Sequence, residues 1–261
     1  MNGSSNAGEM KAKLSDALDG VGGWLDLSEA WALHETARHA AAASGSAVIV
    51  EIGSYHGRST IALTLGMKAG GGGRVFAIDP QSNEADQWEK FQSNIDRTGI
   101  RDSVEPIRKF SHDARDPFAP ASVDVLFIDG PHNYGAVAQD VSNWTSTLKD
   151  GAVIAFNDAY WVEGVRRAIR HRVTRARSPF RNPRWSYNTL FFDFKPSAPW
   201  SMRDWVGLAR VRAFLKLGGG WTNFHARIAR SPKASQRRTD LDFNLMMGTL
   251  GAILPRAHRS A

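Results

Sequence analysis

From Ala47 onward the chain alternates short apolar runs with stretches of helical periodicity, the pattern of strands feeding crossover helices into a parallel sheet. The runs are AVIVEI (47–52), RVFAID (74–79), a weaker VEPIRK (104–109), VDVLFID (123–129) and AVIAFN (152–157), with TLFFDF (189–194) as a last strand before Lys195-Pro196. Tyr134, Val137, Val141, Trp144 and Leu148 step by three and four, which predicts one apolar stripe on a helix. Upstream, residues 24–44 are rich in helix formers and predict a helix capped near Ser28, with a glutamate about three residues on. Ser44-Gly45-Ser46 ends it, and residues 1–20 read as a loose polar leader. The segment 166–184 carries eight arginines and two prolines and predicts a helix running into a surface loop. Beyond Pro196 the rhythm stops. Residues 202–217 predict one more helix, with Arg212 on the face of Trp205 and Leu208, ended by Gly218-Gly219-Gly220.

This pattern predicts an α/β fold: a Rossmann-like, doubly wound, mostly parallel sheet of the seven-stranded type with helices on both faces. The expected division is a leader and N-terminal helical cap over 1–45, a ligand-binding domain over 46–195, and a C-terminal extension over 196–261. With 261 residues, 42% hydrophobic and 23% charged, the chain is long enough to bury a core without staples. It has no cysteine, which excludes a disulfide scaffold, a thiolate metal site and a cysteine nucleophile. No apolar run reaches the ~20 residues of a membrane span; Asn244 to Pro255 is too short, and the first residues lack an apolar signal core, so a cytoplasmic location is expected.

Charge is unevenly spread. From Arg166 to the end, 20 Lys and Arg face 4 Asp and Glu, whereas residues 1–165 carry 13 basic and 22 acidic residues. In the tail, Trp200, Trp205 and Trp221 interleave with Arg203, Arg210, Arg212, Lys216, Arg227 and Arg230. A lid or homo-oligomer interface ranks first for this basic extension, peripheral contact with anionic lipid second, and nucleic acid last, because no amide motif for base methylation is present.

The first strand runs into Glu51-Ile52-Gly53-Ser54-Tyr55-His56-Gly57-Arg58-Ser59, where two glycines let the backbone turn tightly against a ligand. A dinucleotide fold prefers G-x-G-x-x-G; here the spacing is G-x-x-x-G with Glu51 before it. A carboxylate there repels a pyrophosphate and pairs with an ammonium, pointing to a ligand with an amino-acid end such as S-adenosylmethionine. Asp79, closing the second strand, stands where an acid accepts both ribose hydroxyls. His56 reads as local packing, and His112 flanks Ser111.

Ligands of open α/β sheets sit outside the carboxyl ends of the strands. Two polar clusters fall there: Asp129-Gly130-Pro131-His132-Asn133-Tyr134 and Asn157-Asp158-Ala159-Tyr160-Trp161. Oxygens of Asp129, Asn157 and Asp158 would make a hard site suited to Mg²⁺. His132, three residues past Asp129, is the natural base for a substrate hydroxyl. Tyr134, Tyr160 and Trp161 are candidates to line an acceptor pocket.

With these residues in view, the chain resembles the class I S-adenosylmethionine-dependent methyltransferases over about residues 47–195. E-I-G-S-Y-H-G-R-S is similar to the motif of metal-dependent catechol-type O-methyltransferases. F-I-D-G-P-H-N-Y followed by F-N-D resembles the branch of metal-dependent sugar O-methyltransferases of macrolide and polysaccharide biosynthesis. The resemblance implies that Glu51, Gly53 and Ser54 contact the methionine end, Asp79 the ribose and Ser111 the adenine. Gly57 and Ser59 would support the turn and helix start, and Asp129 would border the cofactor. It further implies that Asp129 and Asp158, with Asn157 at a variable position, hold Mg²⁺ while His132 acts as base. The expected activity is O-methylation of a sugar or oligosaccharide hydroxyl. The alternatives are a catechol or phenol acceptor, or a non-catalytic cofactor-binding protein.

Overall fold

The structure is a computed structural model that describes residues 3–228, with side chains described for 7–216. Seven strands form one sheet: β1 (Ala47–Ile52), β2 (Gly73–Ile78), β3 (Val104–Ile107), β4 (Val123–Ile128), β5 (Leu148–Phe156), β6 (Phe180–Ser186) and β7 (Thr189–Phe194). Their order is β3-β2-β1-β4-β5-β7-β6, with β7 antiparallel to both neighbours and β1 to β5 parallel. The order reverses between β1 and β4, which opens a crevice at their carboxyl ends.

Alternation along the central strands divides the core. Ile49, Val75, Val125 and Phe127 face the layer of α1 (Gly3–Ala17), α2 (Leu27–Ser44), α3 (Arg58–Gly70) and α4 (Gln87–Arg97). Val50, Ile78, Leu126 and Ile128 face α5 (Tyr134–Trp144), α6 (Glu163–Ala168) and α7 (Met202–Ile228). Both faces of these strands are buried, so they read as continuous apolar runs. The α2–α3 pair is unusually close: a Cβ on Gly66 would stand 2.0 Å from the carbonyl oxygen of His34, and one on Gly70 2.1 Å from that of Arg38. Only glycine lets the two backbones meet there.

Several expectations are corrected. The leader is not loose: most of it is α1, and Leu14, Leu18, Val21 and Leu25 bury themselves against the sheet layer. The cap of α2 is Asp26 rather than Ser28, in a box where Asp26 accepts from the Ser28 amide (2.7 Å) and Glu29 accepts from the Asp26 amide (3.0 Å). Leu148 opens β5 instead of closing the α5 stripe. Segment 166–184 continues α6 through a π-helical turn, Ile169–Val173, and then forms the edge strand β6 where a loop was expected. Helix α7 runs on through Gly218-Gly219-Gly220, and its buried face is Leu208, Val211, Phe214 and Leu215, with Arg212 and Trp205 exposed. The side chains of Trp221 and Arg227, and Arg230 and the Asn244–Pro255 run altogether, lie outside the described residues. Among the described residues no helix is long and apolar enough to cross a membrane.

Candidate functional site

The ladder of the parallel strands continues one residue past their ends. Gly53 N–H donates to Ile78 (2.8 Å), Asp129 N–H to Ile52 (2.8 Å) and Asn157 N–H to Ile128 (3.0 Å). Gly53 has φ +92, and a Cβ there would lie 2.1 Å from the carbonyl oxygen of Asp129. The glycine therefore brings the ends of β1 and β4 together, and its neighbours line a cleft of about 330 Å³ with Ser54, Ser59, Asp129, His132, Asn157 and Asp158. Gly57, at φ +89, starts α3 and packs on Phe91 and Ile95.

His132 stands between two carboxylates: Nε2 is 3.2 Å from Asp129 Oδ1 and Nδ1 is 3.1 Å from Asp158 Oδ2. Only an imidazolium donates from both nitrogens, so this geometry stabilises the protonated ring. The pKa of His132 is accordingly raised, chiefly by its hydrogen bond to Asp129 and against the opposing effect of burial. Burial raises that of Asp129, against the pull of His132 and Asn157. Asp158 holds φ +53, a left-handed backbone rare outside glycine; Asn188 Nδ2 donates to its carboxylate.

Asn157 joins this group from below. Its Nδ2 donates to Asp129 Oδ1 (3.1 Å), and its Oδ1 accepts from Thr189 Oγ1 (3.0 Å). Thr189 Oγ1 is also 2.7 Å from Glu29 Oε1, which takes the Asn188 amide at 3.1 Å. A hydroxyl has one proton; given to Asn157, it requires Glu29 to donate to Thr189. Burial favours that state, pushing the Glu29 carboxyl up to about 7, while hydrogen bonds from Thr189 and the Asp26 and Asn188 amides favour the ionised form. Glu29 is only 1% exposed. It is thus both the reciprocal member of the α2 capping box and the anchor of the strand-end network.

The expected ligand residues divide. Gly53, Ser54, Ser59, Asp129, His132, Asn157 and Asp158 line the cleft. Glu51 lies beneath it, fully buried, with the Ser59 and Thr60 hydroxyls favouring its ionised form and, among the described residues, no hydrogen-bond partner for Oε1. Burial pushes its pKa up to about 8, and an orphaned buried carboxylate oxygen is suited to a cationic ligand group. Asp79 also lies under the floor: it accepts from the amides of Tyr55 (2.9 Å) and Gln81 (2.6 Å) and from Gln87 Nε2 (3.2 Å), pinning the turn. Ser111 donates to buried Asp140 and stands apart from the cleft.

Among the acceptor candidates, Tyr160 is core at 2% exposure, packed on Trp161 and Phe214. Tyr134 lies under Arg167 outside the cleft, and Trp161 is likewise not on its wall. The aromatic at the mouth is instead Trp24, 87% exposed and stacked on Tyr55 (5.4 Å), which stacks on His56 (3.7 Å). Arg58 ties the Trp24 loop down through the carbonyls of Leu18, Val21 and Leu25. His56 packs against Gly22 and also lines the cleft. The run Gly20-Val21-Gly22-Gly23-Trp24 was the available signal for this loop; Glu29, Asn188 and Thr189 carried none.

For a metal, Asp129, Asn157 and Asp158 offer three oxygen-bearing side chains at adjacent strand ends, a donor chemistry that fits a hard cation. At present Asp129 is engaged by His132 and Asn157, Asp158 by His132 and Asn188, and the Asn157 oxygen by Thr189, and among the described residues no group of three or more His, Asp, Glu or Cys is arranged to hold a metal ion.

Residues 50–159 match a family model described as a methyltransferase domain. An uncharacterized protein of Acanthamoeba polyphaga mimivirus is 34% identical over 114 residues, 42% of this chain and 50% of that protein. A probable cobalt-precorrin-6B C(15)-methyltransferase (decarboxylating) of Halobacterium salinarum is 39% identical over 88 residues, 34% of this chain and 41% of that protein. The chain thus spans half or less of the length of these curated relatives. Among solved structures, the O-methyltransferase TomG of Streptomyces achromogenes, involved in tomaymycin synthesis and bound to S-adenosylmethionine, aligns with a TM-score of 0.53 at 19% identity. The alignment covers 72% of this chain and 89% of that one, and at that identity it speaks for the fold.

Proposed function

We propose that this chain, whose residues 50–159 match a methyltransferase-domain model and whose sheet has the order β3-β2-β1-β4-β5-β7-β6, is an S-adenosylmethionine-dependent O-methyltransferase acting on a sugar or oligosaccharide hydroxyl, with His132 as general base. The observation that carries this reading is the imidazole of His132 held between Asp129 and Asp158 in a cleft bordered by the Gly53 turn. The neutral ring takes the proton of the acceptor hydroxyl, and the two carboxylates stabilise the imidazolium so formed. A base with a raised pKa suits a sugar hydroxyl, which is a far weaker acid than a catechol.

The orphaned Oε1 of Glu51 is the group to meet the ammonium of the methionine end, and Gly53 and Ser54 the backbone beside it. When bound, S-adenosylmethionine supplies the electrophilic methyl group. Asp129, Asn157 and Asp158 would hold Mg²⁺, which supplies Lewis acidity toward the acceptor oxygen. Trp24 offers the broad face on which a sugar ring packs.

Calorimetric titration with S-adenosylmethionine, followed by methyl transfer to a panel of saccharides and catechols with Mg²⁺ and with EDTA, tests this. Metal-dependent transfer to a saccharide is expected. Transfer to catechols alone would move the acceptor to the phenol class; binding without turnover on any acceptor would favour a binding protein.

A further inference from the structure

Of the eight arginines between 166 and 184, the fold itself uses three. Arg166 is buried and donates to the carbonyls of Tyr160 and Trp161. Arg181 is buried against Trp200 (4.0 Å) and donates to the carbonyls of Ser178 and Ala198. Arg184 pairs with Asp193. Others face outward around a groove of about 510 Å³, lined by Arg170, Arg172 and Arg175, by Arg212 from α7, and by Tyr134 and His171. Among the described residues no carboxylate lines it. Among the described residues none of these four arginines has an ion pair, and Arg175 spends one N–H on the carbonyl of His171.

From this cluster we infer that the groove is a phosphate-binding subsite, and that the acceptor is a saccharide bearing a phosphate or diphosphate group. The inference rests on the methyltransferase reading for the identity of the acceptor. Like charges gathered without counter-charges repel, and an arrangement of guanidinium forks is stabilised by an anion that accepts from several of them. Phosphate fits these forks by geometry and by charge, and four guanidiniums exceed what one carboxylate can engage. Two of them, Arg170 and Arg172, flank His171 in the π-helical turn, whose ends Ile169 and Val173 are buried.

The groove adjoins the base. His132 lines the cleft and Tyr134, two residues on, lines the groove. His171 Nδ1 lies 3.4 Å from Tyr134 Oη, and Arg167 lies 5.0 Å from the ring centre. The helix leading into the π-helical turn rests directly on the His132 turn, because a Cβ on Gly164 would stand 2.3 Å from the carbonyl oxygen of His132. A phosphate held in the groove therefore sits on the same rigid unit that presents the base.

The test uses the full chain and inorganic pyrophosphate, titrated calorimetrically without metal, in wild type and in the Arg172→Gln/Arg175→Gln variant. Both positions are exposed, and neither belongs to the cleft. Saturable binding is expected, weakened about tenfold or more in the variant as two charge-assisted contacts are lost, with S-adenosylmethionine affinity unchanged in both. Absence of saturable binding, equal binding by the variant, or displacement of S-adenosylmethionine by pyrophosphate would overturn the subsite. A second arm uses vesicles containing phosphatidylglycerol. Vesicle binding that pyrophosphate competes away locates a lipid-linked phosphate in the same groove, and vesicle binding indifferent to pyrophosphate overturns it. Because S-adenosylmethionine binding is read in the same samples, its failure would count against the methyltransferase reading and pyrophosphate's failure against the subsite alone.

Discussion

Glu29 makes stability fall with rising pH in a way that one substitution removes. Its carboxyl, ordinarily near 4.5, is pushed by burial up to about 7. The folded state therefore binds this proton more tightly than the unfolded chain, and the stability it contributes is present below pH 4.5 and lost as pH rises through 7. The full displacement corresponds to about 3 kcal/mol, of which about 2–3 kcal/mol is lost between pH 5 and 8. Glu29→Gln imitates the protonated acid: its oxygen can accept from the Asp26 amide while its NH₂ donates to Thr189. The Asn188 amide at 3.1 Å then faces a donor, which costs about 1 kcal/mol. Urea unfolding at pH 5, 6, 7 and 8 should show the variant less stable by about 1 kcal/mol at pH 5 and more stable by about 2 kcal/mol at pH 8. Other buried acids such as Glu51 act in both proteins and cancel. Parallel curves for the two proteins would refute the assigned protonation state and the hydroxyl relay to Asn157 with it.

His132→Ala should lower the rate of methyl transfer by about 10²–10⁴-fold while calorimetry finds S-adenosylmethionine affinity nearly unchanged; loss of both would make His132 structural. Asp158→Asn removes one of the two carboxylates that favour the imidazolium, so the His132 pKa, raised above the ordinary 6.5, should move down, as read by NMR titration of the ring in the metal-free protein. Asp79→Ala leaves the Tyr55 and Gln81 amides and Gln87 Nε2 without their acceptor; it should weaken S-adenosylmethionine binding and lower the urea midpoint. Gly66→Ala places a methyl 2.0 Å from the backbone of His34 and should destabilise the fold by about 1–3 kcal/mol or more as α2 is forced away.

The central strands and the residues at their ends were legible because burial on both faces leaves unbroken apolar runs and because ligand chemistry gathers at carboxyl ends. Asp129, His132, Asn157 and Asp158 are brought together by that logic alone. The edge strand β6 was not legible. Its sequence, Phe180 to Ser186, carries Pro183, two arginines and Asn182 at φ +47, and its pairing with β7 shifts register between Arg181 and Arg184. An edge strand tolerates proline and a bulge that a central strand does not. Helix α1 opens on Gly, Ser and Asn, poor helix formers, and is held by its contacts rather than by propensity. Tyr160, expected at the acceptor pocket, is core, and Trp24, given no such role, stands at the mouth, because hydrophobic character alone does not say which aromatic ring faces the core. Glu29 was hidden for a different reason: read locally, it is a helix-capping residue, and its second set of partners lies at Asn188 and Thr189.

That separation has a consequence for how the protein is made. The bond from Thr189 to Glu29 closes over 160 residues. A ribosome adding about 5–20 residues per second takes roughly ten to thirty seconds between the two. Throughout that interval α2 carries an acid whose second set of partners does not yet exist, against a sheet still missing its last strands. Contacts of such range form late and slow folding. The strand-end network around Asn157 therefore cannot close until Thr189 has been made, and a nascent chain arrested before Thr189 would hold the first glycine turn without a finished acceptor side.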